Sequence, residues 1–116
     1  MGEKLMSETS DVVTPTITAL NGIPGVVAYR LHSGRVKVRG GYMRNNEPGA
    51  PDIFAVVKGV PVFFEAKSAT GELSDDQTAE AFRISRAGAQ VWCIRSVHEA
   101  LKVARRMLGI GLVKCK

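Results

Sequence analysis

Acidic residues are absent between residues 12 and 46, although Arg30, Arg35, Lys37, Arg39 and Arg44 all fall inside that span. Cysteine is scarce: Cys93 sits in an apolar strand-like run and Cys115 is the penultimate residue. Two such cysteines make no disulfide framework and point to a reduced, intracellular and hence cytoplasmic chain. Neither histidine, His32 nor His98, has a cysteine or histidine at zinc-ligand spacing, which argues against a zinc site. No apolar run approaches the roughly 18–20 residues that span a bilayer, and the first residues lack the apolar stretch of a signal peptide. No membrane role is expected. Repeats, low-complexity tracts and interdomain linkers are missing as well.

What remains is a 116-residue chain with 45% hydrophobic residues, enough for one core and too short for two. The division expected is a polar tail or helix start over residues 1–13 and a single domain over 14–116. The net charge of +5 is uneven. Beyond the early arginines, Lys102, Arg105, Arg106, Lys114 and Lys116 crowd the end of the chain, while Glu72, Asp75, Asp76 and Glu80 gather in the middle. A basic surface around an acidic pocket suits a polyanion whose phosphates meet a bound cation. A solvated basic surface accounts for the charge alone equally well.

Local signals divide the chain into alternating elements. Thr14-Pro15 reads as a helix start, with Thr14 as cap and Pro15 in the first turn, and Asn21-Gly22 as its stop; a start near Ser7 is the alternative. A β-rich run over 26–32, a Ser33-Gly34 turn and the alternating Arg35-Val36-Lys37-Val38-Arg39 read as a hairpin with a cationic side. Residues 40–51 read as a long loop. Two apolar runs around Gly59 read as central strands buried on both faces. Ser74 and Gln77 form a capping box for a helix ending near Gly88, and Ser96 and Glu99 repeat the pattern for the last helix. Between them residues 90–95 make a strand, with Trp92 and Cys93 expected in the core. The strand–helix–strand passage implies a parallel crossover, so the fold class is α/β: a small mixed sheet flanked by helices.

The chemistry concentrates at Pro51-Asp52 and Glu65-Ala66-Lys67, on or beside the two central strands. Alternation places Glu65 and Lys67 on one face of their strand. Carboxylates of this kind select a hard cation such as Mg²⁺, which takes one or two of them plus waters and substrate phosphates. The metal orients a water and offsets charge on a phosphoryl oxygen, and a neighbouring lysine serves the same transition state. Taken singly, each residue has a plainer explanation. Asp52 fits a strand start, Glu65 and Lys67 fit an ion pair on an edge strand, and Gln77 fits its capping box. The apolar flanks Val60, Val62, Phe63 and Phe64 argue against an edge.

The ordered set Gly49-Ala50-Pro51-Asp52, Glu65-Ala66-Lys67 and Gly71-Glu72-Leu73-Ser74-Asp75-Asp76-Gln77 resembles the VRR-Nuc domain, the virus-type replication-repair branch of the PD-(D/E)xK nucleases. The likeness spans residues 20–96. It implies a restriction-endonuclease-like core and a Mg²⁺- or Mn²⁺-dependent DNA endonuclease. Asp52, Glu65 and the Ala66 carbonyl would be metal ligands, Lys67 would assist the attacking water, and Gln77 would complete the site. The family carries a glutamate on its first helix; Glu8 is the better candidate here, with Asp11 the other nearby acid. Stand-alone members of this size, often phage-encoded, resemble Holliday-junction resolvases that act as homodimers on branched DNA. That implies a bacterial or phage-infected cytoplasm, with Arg30, Arg35, Lys37, Arg39 and Arg44 on DNA phosphates. A catalytically weak DNA-binding or scaffolding module of the same fold is the competing expectation. A sequence-specific restriction-type enzyme ranks lower, because the chain is too short for an elaborate recognition domain.

Overall fold

The computed structural model describes residues 12–31, 35–44 and 49–109, with side chains in the two short strands over 35–38 and 41–44 left aside. Glu8, Asp11, His32 and Cys115 lie outside the described residues. The elements run α1 (Thr14–Asn21), β1 (Val26–Arg30), β2 (Arg35–Val38), β3 (Gly41–Arg44), β4 (Ile53–Val57), β5 (Val60–Ala66), α2 (Asp75–Arg86), β6 (Gln90–Ile94) and α3 (Val97–Leu108). The main sheet is ordered β1-β4-β5-β6. β1 and β5 flank β4 antiparallel, and β6 joins β5 in parallel across α2. The mixed α/β sheet and the parallel crossover are therefore as expected, and the apolar runs around Gly59 are indeed the inner strands. Lys58 and Gly59, both at positive φ, close β4 to β5 in a two-residue hairpin.

The alternation of β4 and β5 sorts their side chains. Ile53, Ala55, Val57, Val62, Phe64 and Ala66 are buried in one core with Leu20 of α1 and Ala100 and Ala104 of α3. The opposite face carries Phe54, Val56 and Phe63, which are only half-buried, and α2 lies beside it through Ile84 and Ala87. Burial of both faces is thus complete on one side only. Small alanines on α3 let that helix sit close to the sheet, and its Ser96 cap and left-handed Gly109 mark its ends as the sequence implies.

Three local readings are corrected. β1 pairs with β4 and not with β2; the cationic alternating strand instead folds back on β3, inside the stretch read as a long loop. Strand β4 offers β1 a longer apolar partner than the short basic strand can. Thr14 does not cap α1: Val12 and Val13 are already wound helically and buried, and the Thr14 hydroxyl accepts a 3.2 Å bond from Arg30 Nη1. Trp92 and Cys93 are not core residues, because β6 is an edge strand that leaves Trp92 37% exposed and Cys93 open to solvent.

The other edge is tied down. The Asn21 side chain donates to the Ala28 carbonyl at 3.0 Å and accepts from its N–H at 2.9 Å, occupying backbone groups that an open edge would present. None of the helices among the described residues is long and apolar enough to cross a membrane.

One buried group is left over. The Thr16 hydroxyl is fully buried and has no hydrogen-bond partner among the described residues. An unmet hydroxyl costs about 1–3 kcal/mol. Thr16→Val keeps the branched shape and removes the oxygen, so the variant should raise the free energy of unfolding by about 1 kcal/mol in urea denaturation; a loss of stability would show that the hydroxyl is satisfied in solution.

Candidate active site

Asp52 immediately precedes β4, and the chain holds it at three points. Its carbonyl accepts from Leu31 N–H at 2.7 Å, and its N–H donates to the Phe64 carbonyl at 3.1 Å. One carboxylate oxygen, Oδ2, accepts from Ala66 N–H at 2.9 Å. Asp52 is thereby tied to both neighbours of Glu65, which sets the two residues side by side across the β4–β5 pair. The second oxygen, Oδ1, accepts none of these bonds.

Glu65 is 5% exposed and Lys67 8% exposed, both on inner strand β5 or its immediate extension. Lys67 N–H continues the parallel ladder by donating to the Ile94 carbonyl at 2.9 Å, so strand alternation persists and keeps Lys67 on the Glu65 face. An edge-strand ion pair is excluded by the strand order. Burying a carboxylate and an ammonium costs several kcal/mol of hydration each unless partners replace the water. Two charged residues kept together in this position are therefore expensive for the fold.

Gln77 supplies one partner. Its Nε2 donates to Glu65 Oε2 at 2.8 Å while its Oε1 accepts from Ser74 N–H at 2.8 Å. The Ser74 hydroxyl in turn accepts from Gln77 N–H at 3.1 Å. The capping box and the reach toward the carboxylate are thus one arrangement: the cap locks the amide orientation, and the locked amide points its NH₂ at Glu65.

Gly49 explains why the first turn of α2 sits close enough to do this. With φ at +83°, it packs so tightly that a Cβ there would fall 2.3 Å from the Asp76 carbonyl oxygen and 2.9 Å from Gln77 N. Backbone, not a flexible side chain, fills that space. Arg95 completes the frame by donating from Nη1 to the carbonyls of Ser68 and Gly71, both at 2.6 Å, across the loop joining β5 to α2. Its sequence context, a basic residue at a strand end, gives no hint of that role.

Cys93 is the register partner of Glu65 on β6. Although the residue is open to solvent, desolvation is the largest influence on its thiol and pushes it up; Arg95 pulls the other way, Glu65 adds to the rise, and Lys67 opposes it. A thiol held protonated is neither a nucleophile nor a metal ligand.

A divalent cation fits the donor set. Asp52 and Glu65 are the one-or-two carboxylates that Mg²⁺ uses, and remaining positions would fall to waters and substrate oxygens. Among the described residues no group of three acidic, histidine or cysteine side chains gathers, and α1 has no acid in its first turn. The early arginines are dispersed. Arg39 is exposed in the turn between β2 and β3, Arg35 lies opposite Arg44 and Lys37 opposite Tyr42 in that ribbon, and Arg30 reaches Thr14.

A solved VRR_NUC domain has the same fold, with a TM-score of 0.60 and 20% identity over 84% of this chain and 95% of its own. No protein-family model and no curated protein matches the chain. The chain has the VRR-Nuc fold, a small α/β fold.

Gly49→Ala combines a disfavoured backbone angle with a backbone collision, so it should cost about 1–3 kcal/mol in denaturation. It should also drive the first turn of α2 away from Glu65. In amide-resolved NMR the Gln77 side-chain NH₂ signal should move to the position it takes in a Glu65→Ala protein. An unmoved signal would mean that Gly49 does not set the Gln77–Glu65 contact.

Proposed function

We propose that the chain is a Mg²⁺- or Mn²⁺-dependent, structure-selective DNA endonuclease that cuts branched duplexes in the manner of a Holliday-junction resolvase. The observation that carries the reading is the Asp52–Glu65 carboxylate pair held beside Lys67 within a VRR-Nuc fold. A bare ion-pair explanation does not account for the second carboxylate, nor for a glutamine aligned on it by its own helix cap.

Asp52, Glu65 and the Ala66 carbonyl would hold the cation, with Glu8 a further candidate. When bound, the metal would activate a water and neutralise charge on the phosphate. The remaining work falls to the chain. Asp52 keeps its carboxylate in place through the Ala66 N–H, and Glu65 keeps its own through the Gln77 side-chain amide. Gln77 fixes one Glu65 oxygen, so the other is presented in a constant direction. The Lys67 ammonium lies on the same face, where it can hold the attacking water by hydrogen bond and attract the anionic oxygens of the phosphate. Attack by water on phosphorus forms one P–O bond and breaks another, leaving a phosphate and a hydroxyl at the nick.

Arg30, Arg35, Lys37, Arg39 and Arg44 would meet phosphates. Such contacts position a duplex without reading its bases, consistent with selection by shape. One site cuts one strand, so symmetric cleavage of a junction calls for a homodimer with two sites at fixed spacing. The absence of an acid from the first turn of α1 favours a second reading, a DNA-binding module of weak activity.

Labelled four-way junction, flap and linear duplex incubated with Mg²⁺, Mn²⁺ or EDTA separate these readings. The wild type should nick branched DNA only with metal, and Lys67→Ala should lose roughly 100-fold or more in rate while still retarding the junction. Retardation without cleavage in every metal would establish the binding module instead.

A further inference from the structure

The basic cluster at the end of the chain plays no part in the site above, yet part of it borders an open groove. Between edge strand β6 and helix α3 lies a cavity of about 290 Å³ whose lining includes Trp92, Cys93 and Ile94 on the strand and Glu99, Lys102, Val103 and Arg106 on the helix. The four helical residues form one stripe at the spacing of consecutive turns, beside the Ala100 and Ala104 face that enters the core, with Val103 at the shared border. Lys102 and Arg106 are thus stacked about 6 Å apart along the axis.

Trp92 forms the other wall. Its Nε1 donates to Gln90 Oε1 at 2.7 Å, which satisfies its one polar atom and restrains the ring. What Trp92 offers to solvent is therefore aromatic surface, on a strand that is at the edge of the sheet among the described residues. Glu99 is the single acid in the lining, and its Oε1 is engaged by Arg95 N–H at 2.7 Å at the start of α3. Two cations against one committed carboxylate leave the groove electropositive.

We propose that this groove binds a single-stranded nucleic-acid segment, with a base stacked on Trp92 and its phosphates on Lys102 and Arg106. An aromatic platform beside a cationic track is the minimal device for sequence-tolerant single-strand binding, because every base has a π-face and every nucleotide a phosphate. An apolar peptide would have to bury Lys102 and Arg106 without partners. A second copy of this chain, itself net +5, would meet the groove with like charge. The groove lies across the sheet from the carboxylates and reaches them only around the β6 edge: Trp92 pairs with Phe64 on the core face, and its neighbour Cys93 pairs with Glu65 on the other. The inference extends the nuclease reading and rests on it for its purpose, which is to hold the unpaired strand beside a branch.

Trp92 is the only tryptophan of the chain, so intrinsic emission reports on this groove alone. Oligothymidylate titrated into the full chain in EDTA should quench that emission saturably. Fluorescence anisotropy of labelled oligothymidylate should weaken about tenfold for Trp92→Ala, within the range for loss of one stacked base. Lys102→Glu with Arg106→Glu, both on the exposed side of α3, retains the reporter. It should remove most of the quenching and flatten the salt dependence of binding. Unquenched emission while anisotropy shows the oligonucleotide bound would overturn the proposal, as would unchanged affinity in the double variant. Emission that shifts with protein concentration and ignores the oligonucleotide would put a second copy in the groove and overturn it too. None of these readings requires cleavage. An inert protein with a quenched tryptophan sinks the nuclease reading alone, and a cleaving protein with an unquenched one sinks the groove alone.

Discussion

Everything around the candidate site depends on keeping two carboxylates adjacent on the inner strands of a small sheet. Like charges at close range disfavour one another, and burial removes the water that would screen them. The chain answers with backbone groups and one side-chain amide. Ala66 N–H holds Asp52, the Phe64 carbonyl fixes the Asp52 main chain, and the Gln77 amide holds Glu65. Each partner comes from an element whose position is itself determined: β5 by its two sheet neighbours, α2 by its capping box and by the glycine packed under its first turn. An arrangement this constrained is what a hard cation and a lysine require of a protein, because both act through fixed distances.

Much of this was legible in the sequence, and the reasons differ by residue. The capping boxes at Ser74 and Ser96 depend on neighbours three residues away, so local reading reached them. The Glu65–Lys67 face follows from strand alternation, which holds wherever the strand is inner and continuous. The misread parts are those decided at long range. Val26 to Arg30 fits either a basic neighbour or β4 as a partner, and only the shared apolar face with β4 settles the choice. Trp92 and Cys93 look like core residues by composition, but no strand lies beyond β6 among the described residues, a fact carried by topology and not by the run itself. Arg95 gave no signal, since the carbonyls it holds belong to a loop distant in sequence.

The division of labour across the sheet follows from the same packing. One face is packed by α1 and α3 except at the β6 edge, and serves stability. The other face, only partly covered by α2, and the open rim at β6 carry the charged and exposed residues.

The most direct measurement of the central claim is calorimetric titration of Mn²⁺ into the wild-type chain and into Asp52→Asn, which keeps the shape and an oxygen toward Ala66 N–H but removes the charge. Saturable binding by the wild type that disappears in Asp52→Asn is the expected result. Equal binding by both proteins, or none by either, would contradict the assignment of Asp52 and Glu65 as a metal centre.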